Sequence, residues 1–179
     1  MASRRLAVPS QVAQEASQAV ARAVLEEPAI RTARRIALYA AQGGELPTRP
    51  LFEALGGACE RLLPRIRGGS LEWASVQAWD ELAPGRFGMP EPLGEAVSDP
   101  APGDVVLLPG LAFDGEGWRL GRGGGHFDRA FPPGQPAPWL VGLAYWFQLL
   151  DAVPHDSRDR RVDAIVTERG WIRPGREAG

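Results

Sequence analysis

Residues 121–125 consist of four glycines around Arg122, and Asp128 follows shortly after them. A backbone without Cβ atoms can turn sharply and present successive N–H groups as a concave nest that binds anions. Phosphate is the expected anion, because Arg119 and Arg122 supply forked cationic donors and Asp128 can hold a Mg²⁺ ion that bridges phosphate oxygens. The alternative is an ordinary glycine-rich turn, because glycine makes up 22 of the 179 residues, above the usual share of about 7%.

The segments around this glycine loop (residues 121–125) predict the elements that position it. Residues 105–108 form a short apolar run typical of a buried strand, and residues 126–131 can open a helix whose N-terminus favours anions. Other helices are predicted over residues 11–27, from apolar side chains at helical spacing, and over 49–56, capped by Thr48 and ended by Gly56 and Gly57. Strands are predicted near residues 36–40, 61–66, 70–76, 104–108, 139–144 and 163–167.

Strands that alternate with helices predict an α/β fold, here a single-domain, three-layer open sheet, parallel or mixed, with helices on both faces. In such sheets ligands bind beyond the carboxyl ends of the strands. We expect Glu45, the glycine loop and residues 145–148 to emerge there. The proline-rich stretches at residues 90–102 and 132–138 are predicted to be surface loops. We expect one domain over residues 1–179, with residues 1–9 and 174–179 frayed.

The composition excludes several classes of function. All 20 basic residues are arginine, which excludes a Walker A loop and Schiff-base chemistry through lysine. The net charge of −2 provides no general attraction to nucleic acid. The sequence contains no run of 18 apolar residues, so no membrane span is predicted. Cys59 is the lone cysteine and cannot form an internal disulfide. We therefore expect a cytoplasmic protein without nucleic acid or membrane partners.

The glycine loop lies within a longer set of ordered motifs. Residues 109–114 read P-G-L-A-F-D, and residues 119–129 read R-L-G-R-G-G-G-H-F-D-R. Further motifs lie at residues 37–39, 43–45, 63–65, 87–92, 141–145 and 162–168. Over about residues 17–172 the chain resembles the 5-formyltetrahydrofolate cyclo-ligase family, also called methenyltetrahydrofolate synthetase. An ordered series of this length is far more specific than one glycine loop.

The resemblance implies a fold similar to the isomerase and CoA-transferase folds, and it implies a reaction. Members use ATP as co-substrate and Mg²⁺ to cyclise 5-formyltetrahydrofolate to 5,10-methenyltetrahydrofolate, releasing ADP and phosphate. The implied catalytic residues are Arg119, Arg122 and Asp128. The implied ATP-binding residues are Arg119, Leu120, Gly121, Arg122, Gly123, Gly124, Gly125, His126 and Phe127. The implied substrate-binding residues are Glu45, Met89, Arg122, Gly124, His126 and Tyr145, and the implied metal ligands are Asp128 and Asp163.

The chain departs from the family pattern at two places. His126 and Phe127 stand where the family usually has two tyrosines, and the usual N-terminal lysine is missing, so that Arg4 or Arg5 would have to replace it in part. Two alternatives therefore stay open, a nucleotide- or folate-binding relative without turnover and a sugar-phosphate isomerase or transferase on a similar sheet. We expect an active monomeric ligase.

Overall fold

The computed structural model describes residues 1–85, 88 and 90–175, in which short strands alternate with helices. The α-helices are α1 (Ala2–Leu6), α2 (Ser10–Glu26), α3 (Pro28–Thr32), α4 (Arg49–Leu55) and α5 (His126–Ala130). The strands are β1 (Arg35–Ala37), β2 (Glu60–Arg67), β3 (Ser70–Ser75), β4 (Leu82–Pro84), β5 (Pro90–Pro92), β6 (Ala96–Val97), β7 (Val105–Pro109), β8 (Ala112–Asp114), β9 (Arg119–Leu120), β10 (Trp139–Leu143), β11 (Leu149–Leu150), β12 (Ala164–Thr167) and β13 (Gly170–Ile172). Single 3-10 turns occur at Trp79–Glu81 and Trp146–Gln148.

The main sheet of the described chain has eight strands in the order β13-β12-β10-β7-β1-β2-β3-β6. Strands β12, β10, β7, β1 and β2 run parallel, whereas β13, β3 and β6 join the two edges antiparallel. Strand β7 lies in the middle and is buried on both faces, as its apolar sequence requires. The predicted α/β class and mixed open sheet are confirmed.

Helices cover the main sheet on both faces. On one face, Val20 and Val24 of α2 pack with Phe52 of α4 and Leu107 of β7 in one buried cluster. On the other face, Phe131 at the end of α5 belongs to a second cluster, together with Phe113 of β8. No helix among the described residues is both long enough and apolar enough to cross a membrane.

Three segments differ from the sequence-based expectations. The proline-rich stretch at 90–102 contains strands β5 and β6, because the prolines of β5 lie in a two-stranded edge ribbon, where missing N–H donors cost little. A hairpin of β8 and β9 separates β7 from the glycine loop. Residues 2–6, which we expected to fray, form α1, whereas 176–179 of the predicted frayed end lie outside the described residues.

Packing between the main sheet and β8 depends on the absence of a side chain at Gly142. A Cβ atom there would lie 2.4 Å from Cε1 of the Phe113 ring. Gly142→Ala should therefore lower the free energy of unfolding by about 1–3 kcal/mol, because the ring must leave its position. Gly57→Ala is the control, since no atom lies within 4 Å of its added Cβ. Equal denaturant midpoints for the two variants would contradict this account.

Candidate functional site

A cavity of about 680 Å³ opens where β1, β2 and β7 end. Its volume lies within the range of small-molecule sites, roughly 300–1,000 Å³. The residues that line it are Tyr39, Ala40, Gln42, Glu45, Pro64, Arg65, Ile66, Leu71, Pro90, Glu91, Pro109, Gly110, residues 119–128, Pro154 and Asp159. The structure thus brings the whole predicted ATP-binding segment to one cavity with Glu45. The location at the carboxyl ends of parallel strands agrees with the sequence-based expectation.

The glycine loop forms one wall of this cavity. Gly123 and Gly125 have φ values of 89° and 60°, which side chains rarely adopt, so the path of the loop requires glycine there. Gly125 leads directly into α5. Because α5 has only five residues, the loop N–H groups and neighbouring arginines, rather than a long helix dipole, must provide most of the attraction for an anion.

An ion pair closes the base of the glycine loop. Nη2 of Arg119 lies 2.9 Å from Oδ1 of Asp128, and these side chains are 6% and 23% exposed. The Arg119 guanidinium also lies 5.5 Å from the centre of the Phe127 ring. The pair therefore joins β9 to α5 across the loop and holds two of the predicted catalytic residues side by side.

His126 anchors the start of α5 to the turn between β2 and β3. Its Nδ1 lies 3.2 Å from the carbonyl oxygen of Gly69 and 3.0 Å from Nη2 of Arg129, which donates to the same carbonyl. The His126 imidazole therefore lines the cavity and also helps to dock α5 onto the sheet.

A second ion pair connects the glycine loop to the turn that carries Glu45. Nη2 of Arg122 lies 3.1 Å from Oε1 of Glu45 and donates to the carbonyl oxygen of Gln42 at 2.7 Å. The backbone N–H of Gln42 donates to Oε2 of Glu45 at 3.0 Å. Desolvation raises the pKa of the Glu45 carboxyl, against the opposing effects of the Gln42 amide, Arg122 and Arg5. These cations therefore favour the ionised form of Glu45.

Of the two N-terminal arginines, Arg5 is the one that reaches Glu45. Arg5 is 2% exposed, and its Nη1 donates to the carbonyl oxygen of Gly110 at 3.0 Å and lies 3.9 Å from Oε1 of Glu45. Burial lowers the pKa of its guanidinium, although Glu45 opposes this effect. Arg4 instead lies over the Phe147 ring, 4.9 Å from its centre. Arg5 therefore contacts Glu45 and the Gly110 carbonyl from the buried side, and it does not line the cavity.

The structure places two predicted site residues outside this cavity. Asp163 precedes β12, at the amino end of the strand, and its Oδ2 accepts a hydrogen bond from the Leu140 N–H at 2.7 Å. Tyr145 is buried in the core on the α2 face and stacks on Phe147 at 5.3 Å. Met89 lies outside the described residues. Among the described residues no group of three or more His, Cys, Asp or Glu side chains could hold a metal ion.

Sequence reasoning missed three charged residues that line the cavity, Arg65, Glu91 and Asp159. Arg65 and Glu91 belong to the motifs at residues 63–65 and 87–92, but neither has a local spacing that indicates chemistry. Asp159 lies in a polar loop between β11 and β12, and its Oδ2 accepts a hydrogen bond from the Asp156 N–H at 2.7 Å. The only sequence signal for Arg65 and Glu91 is that they belong to the ordered motifs.

Comparisons with known proteins agree with the geometry. The model of the 5-formyltetrahydrofolate cyclo-ligase family matches residues 1–168. The chain is 34% identical over 172 residues to 5-formyltetrahydrofolate cyclo-ligase of Escherichia coli K12, covering 92% of this chain and 94% of that protein. The solution structure of Aquifex aeolicus 5,10-methenyltetrahydrofolate synthetase superposes with a TM-score of 0.84 at 31% identity, covering 99% of this chain and 91% of that one. The synthetase from Mycoplasma pneumoniae, at 20% identity and a TM-score of 0.70 over 93% of each chain, shares the fold.

Removal of the Arg122 charge should raise the pKa of Glu45 further. The pKa in the folded protein already lies above its ordinary value, so ionisation of Glu45 costs stability as the pH rises from about 4.3 toward neutrality. Arg122→Met should enlarge this loss, because one cation that favours the carboxylate is gone. Carboxyl-carbon NMR titration measures the pKa, and Arg67→Met, at the exposed end of β2, is the control. An unchanged titration of Glu45 would show that Arg122 does not act on it in solution.

Proposed function

The chain belongs to the 5-formyltetrahydrofolate cyclo-ligase family, and on this premise we propose that the enzyme uses ATP to close 5-formyltetrahydrofolate to 5,10-methenyltetrahydrofolate. ADP and phosphate are the other products. The observation that carries the proposal is the cavity itself, in which a glycine loop that follows Arg119 and contains Arg122 faces the buried carboxylate of Glu45. One end of such a site suits phosphates, and the other suits a heterocycle with N–H groups.

The proposed reaction needs no nucleophile from the protein. The formyl oxygen on N5 attacks the γ-phosphorus, and the bond to the β,γ-bridging oxygen breaks to release ADP. The secondary amine N10 then attacks the formyl carbon and loses its proton, and the carbon–oxygen bond breaks to release phosphate. The product is the methenyl cation. Catalysis of this kind rests on in-line positioning and on charge neutralisation, which arginines and backbone N–H groups supply.

We propose that residues 119–127 bind the ATP phosphates and that Arg119 and Arg122 neutralise the transferred group. Arg119 is held in place by Asp128, and its guanidinium lies along the cavity wall. The Arg122 side chain is 40% exposed, so it can leave Glu45 when nucleotide and folate enter. Glu45, Gly124 and His126 would then contact the folate.

The residues present fit a Mg²⁺ ion at Asp128. This carboxylate lines the cavity beside the glycine loop and is 23% exposed, and Mg²⁺ is usually bound through one or two carboxylates plus substrate phosphates. When bound, the ion would neutralise charge on the phosphate oxygens. The Asp163 carboxylate accepts a hydrogen bond from a strand amide outside the cavity, so we propose Asp128 alone as the ligand.

We further propose that the enzyme acts as a monomer in the cytoplasm and binds neither nucleic acid nor membranes. The proposed ligands, ATP and a reduced folate, are both small molecules. The net charge of −2 gives the surface no general attraction to polyanions.

The purified protein, given Mg·ATP and 5-formyltetrahydrofolate, should form the methenyl product. Its conjugated amidinium absorbs in the near ultraviolet, so the reaction can be followed directly, and ADP release should match product formation one to one. Omission of ATP is the control. A folded protein that binds both ligands without forming the absorbance band would favour a binding-only relative.

Asp128→Asn should lower the turnover by about a hundredfold or more, because the transferred phosphoryl group loses a charged partner and the metal loses a ligand. Asp151→Asn, which changes an exposed carboxylate after β11, is the matched control and should leave turnover unchanged. Circular dichroism establishes that both variants fold. Turnover near the wild-type value at limiting Mg²⁺ would mean that Asp128 only anchors Arg119.

A further inference from the structure

A buried carboxylate without a complete set of partners lines the same cavity as the ion pairs described above. Glu91 on β5 is 7% exposed and lines the cavity. Its Oε1 is buried and has no hydrogen-bond partner among the described residues. No described arginine or histidine pairs with Glu91 within 4.0 Å. A buried acceptor in this state costs free energy in the empty protein. Because this oxygen is closed to solvent, a ligand in the cavity completes its hydrogen bonds once the carboxylate turns toward the ligand.

Packing holds this carboxylate in place. Arg65 on β2 donates hydrogen bonds to the carbonyl oxygens of Pro92 and Gly94 at 3.2 and 2.5 Å, which fixes β5 against the sheet. Its Nε also donates to Glu72 at 3.2 Å. The backbone of Gly85 lies against the Glu91 side chain, because a Cβ atom there would lie 2.3 Å from Cδ of Glu91. The position of Glu91 is therefore built by β2, β4 and β5 together.

Strands β2, β3 and β5 supply both apolar and charged residues to the cavity. The apolar ones are Pro64, Ile66, Leu71 and Pro90, and the charged ones are Arg65 and Glu91. The arginines of the predicted phosphate site, Arg119 and Arg122, come from the glycine-loop side. Arg65 already donates to Glu72 and to two backbone carbonyls. A ligand that contacts Glu91 is therefore expected to offer apolar surface and N–H donors.

We propose that Glu91 is a specificity-determining residue that accepts hydrogen bonds from the pyrimidine edge of the reduced pterin ring. This inference rests on the proposed function. The 2-amino group and the adjacent N3–H of a pterin form a paired donor edge, which a carboxylate can accept in a bidentate manner. Adenine offers one amino group next to a ring-nitrogen acceptor and cannot pair twice with a carboxylate. Glu91 therefore assigns this end of the cavity to the folate and not to ATP.

The test compares Glu91→Gln with Glu95→Gln, which removes an exposed carboxylate from the same segment. Isothermal titration without ATP should show that Glu91→Gln raises the Kd for 5-formyltetrahydrofolate about tenfold to hundredfold, the loss expected for a charge-assisted hydrogen bond. The Kd for ATP should stay the same in both variants. The 2-desamino analogue of the folate should bind the wild type more weakly and should lose little further affinity in Glu91→Gln.

Thermal unfolding separates recognition from a structural role. Because Oε1 is unpaired in the described part of the empty protein, Glu91→Met, which removes the buried polar atoms, should raise the Tm by roughly 2–4 °C. If the Glu91 carboxylate instead stabilised the fold, its replacement would lower the Tm. Gly85→Ala is a second variant, which retains the carboxylate but displaces it, and should also weaken folate binding without affecting ATP.

The outcomes distinguish this inference from the proposed function. Two results would overturn the role of Glu91 and leave the proposed activity intact. In the first, Glu91→Gln binds the folate as tightly as the wild type does. In the second, Glu91→Gln loses as much affinity for the 2-desamino analogue as it loses for the folate. Tight folate binding by the wild type without turnover would overturn the proposed activity while the comparison of Kd values still tests Glu91. A wild-type protein that does not bind the folate would overturn both.

Discussion

Parallel pairing around β7 is the constraint on which the site depends. Strands β1 and β10 pair with β7 in parallel register, so Val105 lies opposite both Ile36 and Trp139. This pairing places the segment that follows β1, with Tyr39 and Glu45, next to Pro109 and Gly110 at the end of β7. The β8–β9 hairpin then carries the chain back to the same edge, where the glycine loop begins. A ligand at this edge contacts segments that are far apart in the chain.

Arginine holds these segments together in a way that lysine could not. Arg122 bonds to a carboxylate and a backbone carbonyl at once, and Arg5 donates to Gly110 while it lies near Glu45. A planar guanidinium has five donors in a fixed fork, whereas an ammonium acts as a point charge. The chain contains no lysine, and the cavity-lining Arg65, Arg119 and Arg122 each bind at least two partners. Arg122 stabilises the empty site through these bonds, and in the proposed reaction it leaves Glu45 to contact phosphate.

The site carries a cost in stability that its packing must offset. Two carboxylates, Glu45 and Glu91, are largely removed from water. They differ in the polar groups that surround them. Glu45 is surrounded by the Gln42 amide, Arg122 and Arg5, which counteract its desolvation. Glu91 has an oxygen without a partner in the described structure. Buried apolar clusters on both faces of the sheet stabilise the fold and offset the cost of these two carboxylates.

Local patterns in the sequence determined the main helices, most strands of the main sheet and the glycine loop. Helical spacing predicted α2, the apolar run predicted β7, and the glycines predicted the turn at residues 121–125, because each depends on neighbouring residues. The ordered motifs identified the family. Only the tertiary structure decided which side chains share the cavity. Asp163 and Tyr145 belong to the same ordered series of motifs as the site residues, yet Asp163 lies at the amino end of its strand and Tyr145 turns into the core. Arg5 and Glu91 gain their roles from burial, which arises when distant segments pack together and therefore has no signature in the sequence near either residue.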